Sequence, residues 1–215
     1  MILKSKNIIK KFGRRNVLDL VSLSIYENEV ISIEGASGSG KTTLLNVLGL
    51  LDDISSGSIE YCNGLQYNAR NAIDRVNTIG YVFQFHHLLS EFNIMDNLII
   101  PQLIAGKTYH EAIKNAKVLM KLLDLNSLSS RYPSEVSGGE CQRIALLRGI
   151  INRPKVVFAD EPTGNLDSEN SSIIIKLLDD LRDELNISFI IATHDKQVTK
   201  ISDKSFYIMD GKLIE

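Results

Sequence analysis

The segment Gly35-Ala36-Ser37-Gly38-Ser39-Gly40-Lys41-Thr42 fits the pattern G-x-x-x-x-G-K-[ST]. Its spacing suits the holding of phosphate. The glycines let the backbone curl, so that successive N–H groups can converge on phosphate oxygens. A helix that follows adds its positive N-terminal end. Lys41 can reach the β- and γ-phosphates of a nucleotide, and the Thr42 hydroxyl can coordinate Mg²⁺, with Thr43 next in line at the helix start. Strand-like Val30-Ile31-Ser32-Ile33 precedes the loop, and Leu44, Leu45, Val47, Leu48 and Leu51 follow on a helical repeat over 41–51. This strand, loop and helix order sets the motif apart from a chance glycine turn.

Two further segments offer chemistry. Val156-Val157-Phe158-Ala159 is an apolar run that ends in Asp160 and Glu161. In a parallel α/β sheet, ligands sit at the carboxyl ends of strands. Asp160 could then hold Mg²⁺ through its water shell, and Glu161 could orient or deprotonate an attacking water. Alone, the pair reads as two solvated acids before Pro162; beside a phosphate loop, it points to hydrolysis. Ser137-Gly138-Gly139-Glu140 precedes a helix bearing Ile144, Leu146, Leu147 and Ile151. Ser137 and Glu140 have capping-box spacing. The same capped, glycine-bearing start makes a second anion site. Two such starts on one chain would be redundant at one nucleotide, whereas two chains arranged head to tail could each present theirs to the other's ATP.

These groups need a scaffold of alternating strands and helices. Val21, Leu23 and Ile25 alternate with polar neighbours as in a half-buried strand, and Glu27-Asn28-Glu29 reads as a turn. The pattern over 109–125 is an amphipathic helix, 168–185 a second helix, Phe189–Ala192 a strand, and Asp210-Gly211 a turn between the short runs 206–209 and 212–214. Apolar strands alternating with helices predict a mainly parallel sheet covered on both faces. The 215 residues suit one domain. A net charge of −2 speaks against nucleic-acid binding. Cys62 and Cys141 have neither metal-ligand nor redox spacing. No apolar run approaches the ~20 residues of a membrane span. A membrane crossing would have to come from another chain.

With these motifs in hand, the chain resembles the ATP-binding-cassette ATPases. Ser137-Gly138-Gly139 is similar to that family's signature motif, and the remaining family motifs follow in order. The resemblance implies that Phe12 stacks on adenine, Gln84 senses Mg²⁺ and links to a membrane partner, and Asp167, in Asn165-Leu166-Asp167, communicates across a dimer. It implies that His194, which alone would read as an ordinary structural histidine, contacts the γ-phosphate. It also implies a P-loop NTPase core with an N-terminal antiparallel β subdomain and a helical subdomain inserted at about 85–152, within a single domain spanning 1–215. ATP and Mg²⁺ are the implied cofactors, and the implied assembly is a homodimer that closes on ATP. Val136, Glu140 and Cys141 depart from the commonest signature residues. They leave the serine and glycines intact, but Cys141 puts in question an ion pair the family makes there.

Within the family, a single cassette without a coiled-coil insert resembles a separate transporter subunit. Phe83-Gln84-Phe85-His86-His87-Leu88-Leu89-Ser90-Glu91-Phe92, with Asp96-Asn97 and Pro101 downstream, resembles the ATPase subunit of the bacterial lipoprotein-releasing system. The implied partners are transmembrane permease subunits on separate chains, and the implied location is the cytoplasmic face of the inner membrane, peripherally bound. His86, His87 and Leu88 are expected on the surface that meets the membrane subunit. A macrolide or peptide exporter ATPase and a division-associated ATP-gated clamp are the alternatives.

Overall fold

The computed structural model describes residues 1–62 and 72–214. Its elements, in chain order, are β1 (Leu3–Phe12), β2 (Arg15–Ile25), β3 (Val30–Glu34), α1 (Lys41–Leu48), β4 (Ser56–Tyr61), α2 (Ala72–Thr78), β5 (Ile79–Val82), α3 (Ile94–Ile104), α4 (Tyr109–Leu122), α5 (Gly138–Ile150), β6 (Val156–Asp160), α6 (Ser168–Leu185), β7 (Ser188–Ala192), α7 (Lys196–Ile201), β8 (Lys204–Met209) and β9 (Lys212–Ile214). β2, β1 and β4 form an antiparallel sheet. The six-stranded sheet runs in the order β5-β6-β7-β3-β8-β9, parallel except for the terminal β8–β9 hairpin. The fold is thus α/β, with a mainly parallel core sheet, an antiparallel N-terminal sheet and the helices α3–α5 inserted between β5 and β6.

Side-chain alternation along the central strands decides what covers each face. Val156, Phe158, Ile190, Ala192, Ile31 and Ile33 join a core made with α1 and the antiparallel sheet. Val157, Ala159, Phe189 and Ile191 point the other way, into a core with α3–α6. Every residue of β6 and β7 is buried, which is why these strands read as unbroken apolar runs.

Two helices stop short of their apolar repeats. α1 ends at Leu48 rather than 51, because Leu50 adopts a left-handed φ of 56° and Leu51 N–H closes back on the Asn46 carbonyl at 2.8 Å. α4 ends at Leu122 rather than 125: Asp124 turns left-handed, and Leu125 N–H bonds the Met120 carbonyl at 2.8 Å. Leu125 is buried all the same, so the hydrophobic period outlasts the helix.

Helix α5 reaches β5 through two glycines. A Cβ on Gly80 would lie 2.2 Å from the Gly149 carbonyl oxygen, and one on Gly149 would lie 3.0 Å from the Tyr81 carbonyl. Backbone therefore meets backbone where the inserted helices rest on the sheet. Gly80→Ala must push α5 off the strand, an overpacking that costs about 1–3 kcal/mol. Calorimetry should show a Tm lower by about 2–4 °C per kcal/mol; an unchanged Tm would mean the two backbones can part freely.

Candidate active site

The carboxyl ends of four parallel strands converge on one cavity of about 530 Å³. The phosphate loop follows β3, Gln84 lies just past β5, Asp160 and Glu161 end β6, and His194 lies just past β7. Gly35, Ala36, Ser37, Gly38, Gly40, Lys41, Thr42 and Thr43 line the cavity with these residues. Val17, from β2, also lines it; no motif in the sequence pointed to it.

The loop conformation depends on glycine at its first position. Gly35 has φ 153°, and a Cβ there would sit 2.6 Å from the Ile208 carbonyl oxygen. At the other end, Gly40 is the N-cap of α1, with φ 111° and no side-chain cap. Each of α3 to α7 begins instead with a side-chain acceptor on its first-turn N–H groups, from Asn93, Thr108, Ser137, Asp167 and Asp195. The positive end of α1 is thus left open to an anion. Lys41 Nζ lies on the loop, donating to the carbonyls of Gly35 at 2.7 Å and Ala36 at 3.3 Å. The buried Ser39 hydroxyl has no hydrogen-bond partner. Positive backbone dipoles and an ammonium fit a triphosphate, whereas Ser39 does not line the cavity.

Asp160 is nearly buried, and burial holds its carboxyl above the usual aspartate range. The neighbouring Glu161 adds to this, while the Thr42 hydroxyl and the Lys41 charge work against it. The Thr42 and Asp160 oxygens are hard donors of the kind that suit Mg²⁺. Glu161 has a left-handed φ of 46°, and its N–H is fixed to the Ala192 carbonyl at 2.8 Å. Such a conformation in a non-glycine residue is costly and is typical of functional positions. His194 Nδ1 is 2.8 Å from Glu161 Oε2, but the two are not aligned for a hydrogen bond, which leaves that buried oxygen without a donor.

The other sequence candidates lie outside this lining. Phe12 ends β1 at the hairpin with β2; its ring is 55% exposed and carries Lys10 Nζ 5.0 Å above it. Ser137 caps α5 with the expected box: Glu140 Oε2 accepts from Ser137 N–H and Oγ at 2.7 Å each, and Glu140 N–H donates to Ser137 Oγ at 3.3 Å. Gly138 and Gly139 form the first turn. Asp167 caps α6, accepting from the Asn170 N–H at 2.8 Å.

The structure also shows contacts that the motifs did not foretell. The Asn170 amide donates to Asp167 Oδ2 at 2.9 Å, and its oxygen would meet a Cβ on Gly139 at 2.4 Å. Asn170 thus wedges the signature helix start against the Asp167 turn, and the second glycine is needed to admit it. Asn165 Nδ2 donates to the Gln84 carbonyl at 3.2 Å. Arg148 donates to the carbonyls of His86 at 2.7 Å and His87 at 2.6 Å. Of the segment expected to meet a membrane subunit, Phe85 and His87 are exposed, His86 is half-buried near the Gly138 backbone, and Leu88 packs on the core. Burial foremost, with the charges of His87 and Arg148, lowers the His86 pKa. Leu89, Ser90, Glu91 and Phe92, further along the segment, are exposed as well.

A glycine-rich loop ending in Lys41 and Thr42, an acidic strand end and a histidine on one cavity, with a capped glycine-bearing helix start outside it, are the arrangement of an ATP-binding-cassette ATPase. The chain belongs to the ABC transporter family, whose model matches residues 18–164. The lipoprotein-releasing system ATP-binding protein LolD of Blochmanniella floridana is 43% identical over 220 residues, covering 99% of this chain and 93% of that protein. Its counterpart in Porphyromonas gingivalis is 42% identical over 217 residues, covering 99% of each. Among solved structures, the dimeric MJ0796, a bacterial ABC transporter cassette, superposes with a TM-score of 0.89 at 32% identity, over 100% of this chain and 97% of that one. A dimeric post-hydrolysis state of MJ0796 bound to ADP and Pi gives the same score.

The raised pKa of Asp160 has a stability consequence. An acid whose folded pKa is raised destabilises the fold when ionised; the cost is absent below the ordinary carboxylate range and grows in as pH rises through it towards the folded value. Asp160→Asn should therefore raise the Tm of the nucleotide-free protein at pH 7, by about 2–4 °C per kcal/mol recovered. That gain should fade on acidification towards pH ~4, while stabilisation by MgATP is lost at pH 7. A variant that melts below wild type at pH 7 would show that burial of this charge is fully compensated.

Proposed function

We propose that this chain hydrolyses ATP at composite sites of a head-to-tail homodimer and so drives lipoprotein release by separate transmembrane permease subunits at the cytoplasmic face of the bacterial inner membrane. One observation carries the two-chain reading: Ser137, Gly138 and Gly139 line no part of the cavity that holds the phosphate loop, Glu161 and His194. The second anion-binding helix start needs a nucleotide from another copy. Dimeric relatives of the same fold support this arrangement, and near-full-length similarity to lipoprotein-releasing ATPases supports the substrate class.

In this reading, the loop N–H groups and Lys41 bind the β- and γ-phosphates. Thr42, Asp160 and Gln84 would hold Mg²⁺, which supplies positive charge to the phosphate oxygens. Phe12 stacks on the adenine from the rim. Glu161 orients and deprotonates the attacking water with its carboxylate, and His194 steadies the γ-phosphate beside it. Asp167 and Asn165, tied to Gly139 through Asn170 and to Gln84, relay the state of one site to the next.

Glu161→Gln should retain ATP binding and lose turnover by about 10²–10⁴-fold, the scale of a general base. With ATP uncleaved, size-exclusion chromatography in MgATP should show a persistent dimer; a wholly monomeric profile would refute the sandwich.

Ser137→Arg should abolish turnover while each monomer still binds nucleotide in a titration, whereas Lys41→Ala should weaken binding itself. Equal loss of binding in both would end the division of labour between the two helix starts. The substrate class is tested with labelled lipoprotein in proteoliposomes containing this chain and its permease. ATP-dependent transfer to a carrier protein is expected, and its absence in an ATPase-active complex would reject lipoprotein release.

A further inference from the structure

A second polar cleft, of about 340 Å³, is unused by the nucleotide chemistry. It lies where the turn after α3, the side of α4 and the loop after α5 meet, lined by Lys107, Asn115, Val118, Leu119, Ile151 and Arg153. It holds two cations and an amide, and none of its lining residues is acidic. A wholly buried side chain builds it: Gln102 Oε1 accepts from Asn115 Nδ2 at 3.1 Å and Lys107 Nζ at 3.4 Å, while its own amide is anchored to the Ala112 carbonyl at 2.9 Å. The carboxylate nearest in sequence, Glu111, is committed to the α4 cap through Thr108 N–H at 2.9 Å and Oγ1 at 2.7 Å. Arg153 forms no ion pair with a carboxylate among the described residues. Burial and the Arg153 charge together hold Lys107 below the usual lysine range, which Glu111 only partly offsets. Lys107 is half-buried and Arg153 stands exposed at the cleft's rim, and an anion between the two would relieve their repulsion.

The surroundings indicate where the anion comes from. Asn152 donates to the Pro101 carbonyl at 3.0 Å, joining the ends of α3 and α5. On its other side Asn152 lines a groove with Tyr81, Phe83, His87 and Arg148. Leu103 and Ile104 are exposed at the end of α3, as is Val118 at the cleft itself. α4 adds exposed Lys114, Lys117 and Lys121 against one acid, Glu111. Cations beside exposed aliphatic side chains suit the headgroup level of an anionic bilayer.

We propose that this cleft binds the phosphate group of an anionic phospholipid, with Lys107 and Arg153 flanking the phosphate and Asn115 donating to it. The choice of a lipid leans on the membrane role proposed above, but the test needs neither permease nor ATP, so it can fail while that role stands.

The purified full chain is floated with phosphatidylcholine vesicles with and without phosphatidylglycerol, at low and moderate salt. Wild type should bind the anionic vesicles only. Lys107→Gln/Arg153→Gln should bind about 30-fold more weakly, the loss of two cations at an anionic surface. Arg153→Lys should retain most of the binding. ATPase activity close to wild type in every variant reports an intact fold. Lys114→Gln/Lys117→Gln, which removes equal charge from outside the cleft, should lose much less; equal loss would overturn the site in favour of diffuse attraction. Inorganic phosphate is titrated in parallel, and the difference between wild type and the cleft variant isolates the cleft's share. Heat lost with the variant, without vesicle binding, would keep the phosphate site but make the free anion its ligand. Binding to neither probe, or equal binding by wild type and the cleft variant, would overturn the proposal.

Discussion

A parallel sheet covered on both faces commits its backbone to the ladder and its side chains to two cores. It has little left to offer a ligand except its ends. That constraint organises this molecule. β6 and β7 are buried along their whole length, and chemistry begins where burial stops: at Gly35 beyond β3, Gln84 beyond β5, Asp160 and Glu161 at the end of β6, and His194 beyond β7. Positions one residue apart serve opposite purposes. Ala159 fills a core, Asp160 is nearly buried at the threshold, and Glu161 takes a left-handed turn that places its carboxylate in the cavity.

The electrostatics follow from the same economy. The α1 start lacks a side-chain cap, so its positive end is available. The strand end opposite carries two acids, one of them desolvated, and this negative pair would repel a naked triphosphate. Lys41 and Thr42 already lean against that repulsion. A divalent cation would complete the compensation, which links nucleotide binding to metal binding through charge alone.

Much of this was legible in the sequence because the signals were local. The phosphate loop, the capping box of Ser137 and Glu140, and the apolar runs of β6 and β7 are each contained in a few consecutive residues. Their strand or helix context could be read from period and composition. The antiparallel N-terminal sheet, and the grouping of the inserted helices into one subdomain, came from family resemblance rather than from periodicity, since β1 and β4 carry mixed, bulged patterns. What stayed hidden was pairwise. Asn170 against Gly139, Arg148 on the carbonyls of His86 and His87, and Val17 in the cavity lining depend on contacts between segments far apart in the chain. How far His86 and Leu88 are covered stayed hidden for the same reason: both are half-buried in a segment whose backbone Arg148 grips.

That grip changes what α5 is. The helix carries Ser137 at its start and Arg148 near its other end, and its 13 residues span roughly 20 Å. Glycine contacts with β5 let it rest on the sheet without interlocking side chains at that crossing. The rod therefore has a capped, glycine-bearing tip at one end and, at the other, a two-pronged hook beside its smooth bearing on the sheet. Because Gly149 adjoins Arg148, bearing and hook form one fixed end, and the backbone of His86 and His87 is tied to the sheet through it while Ser137 stands at the far end of the rod.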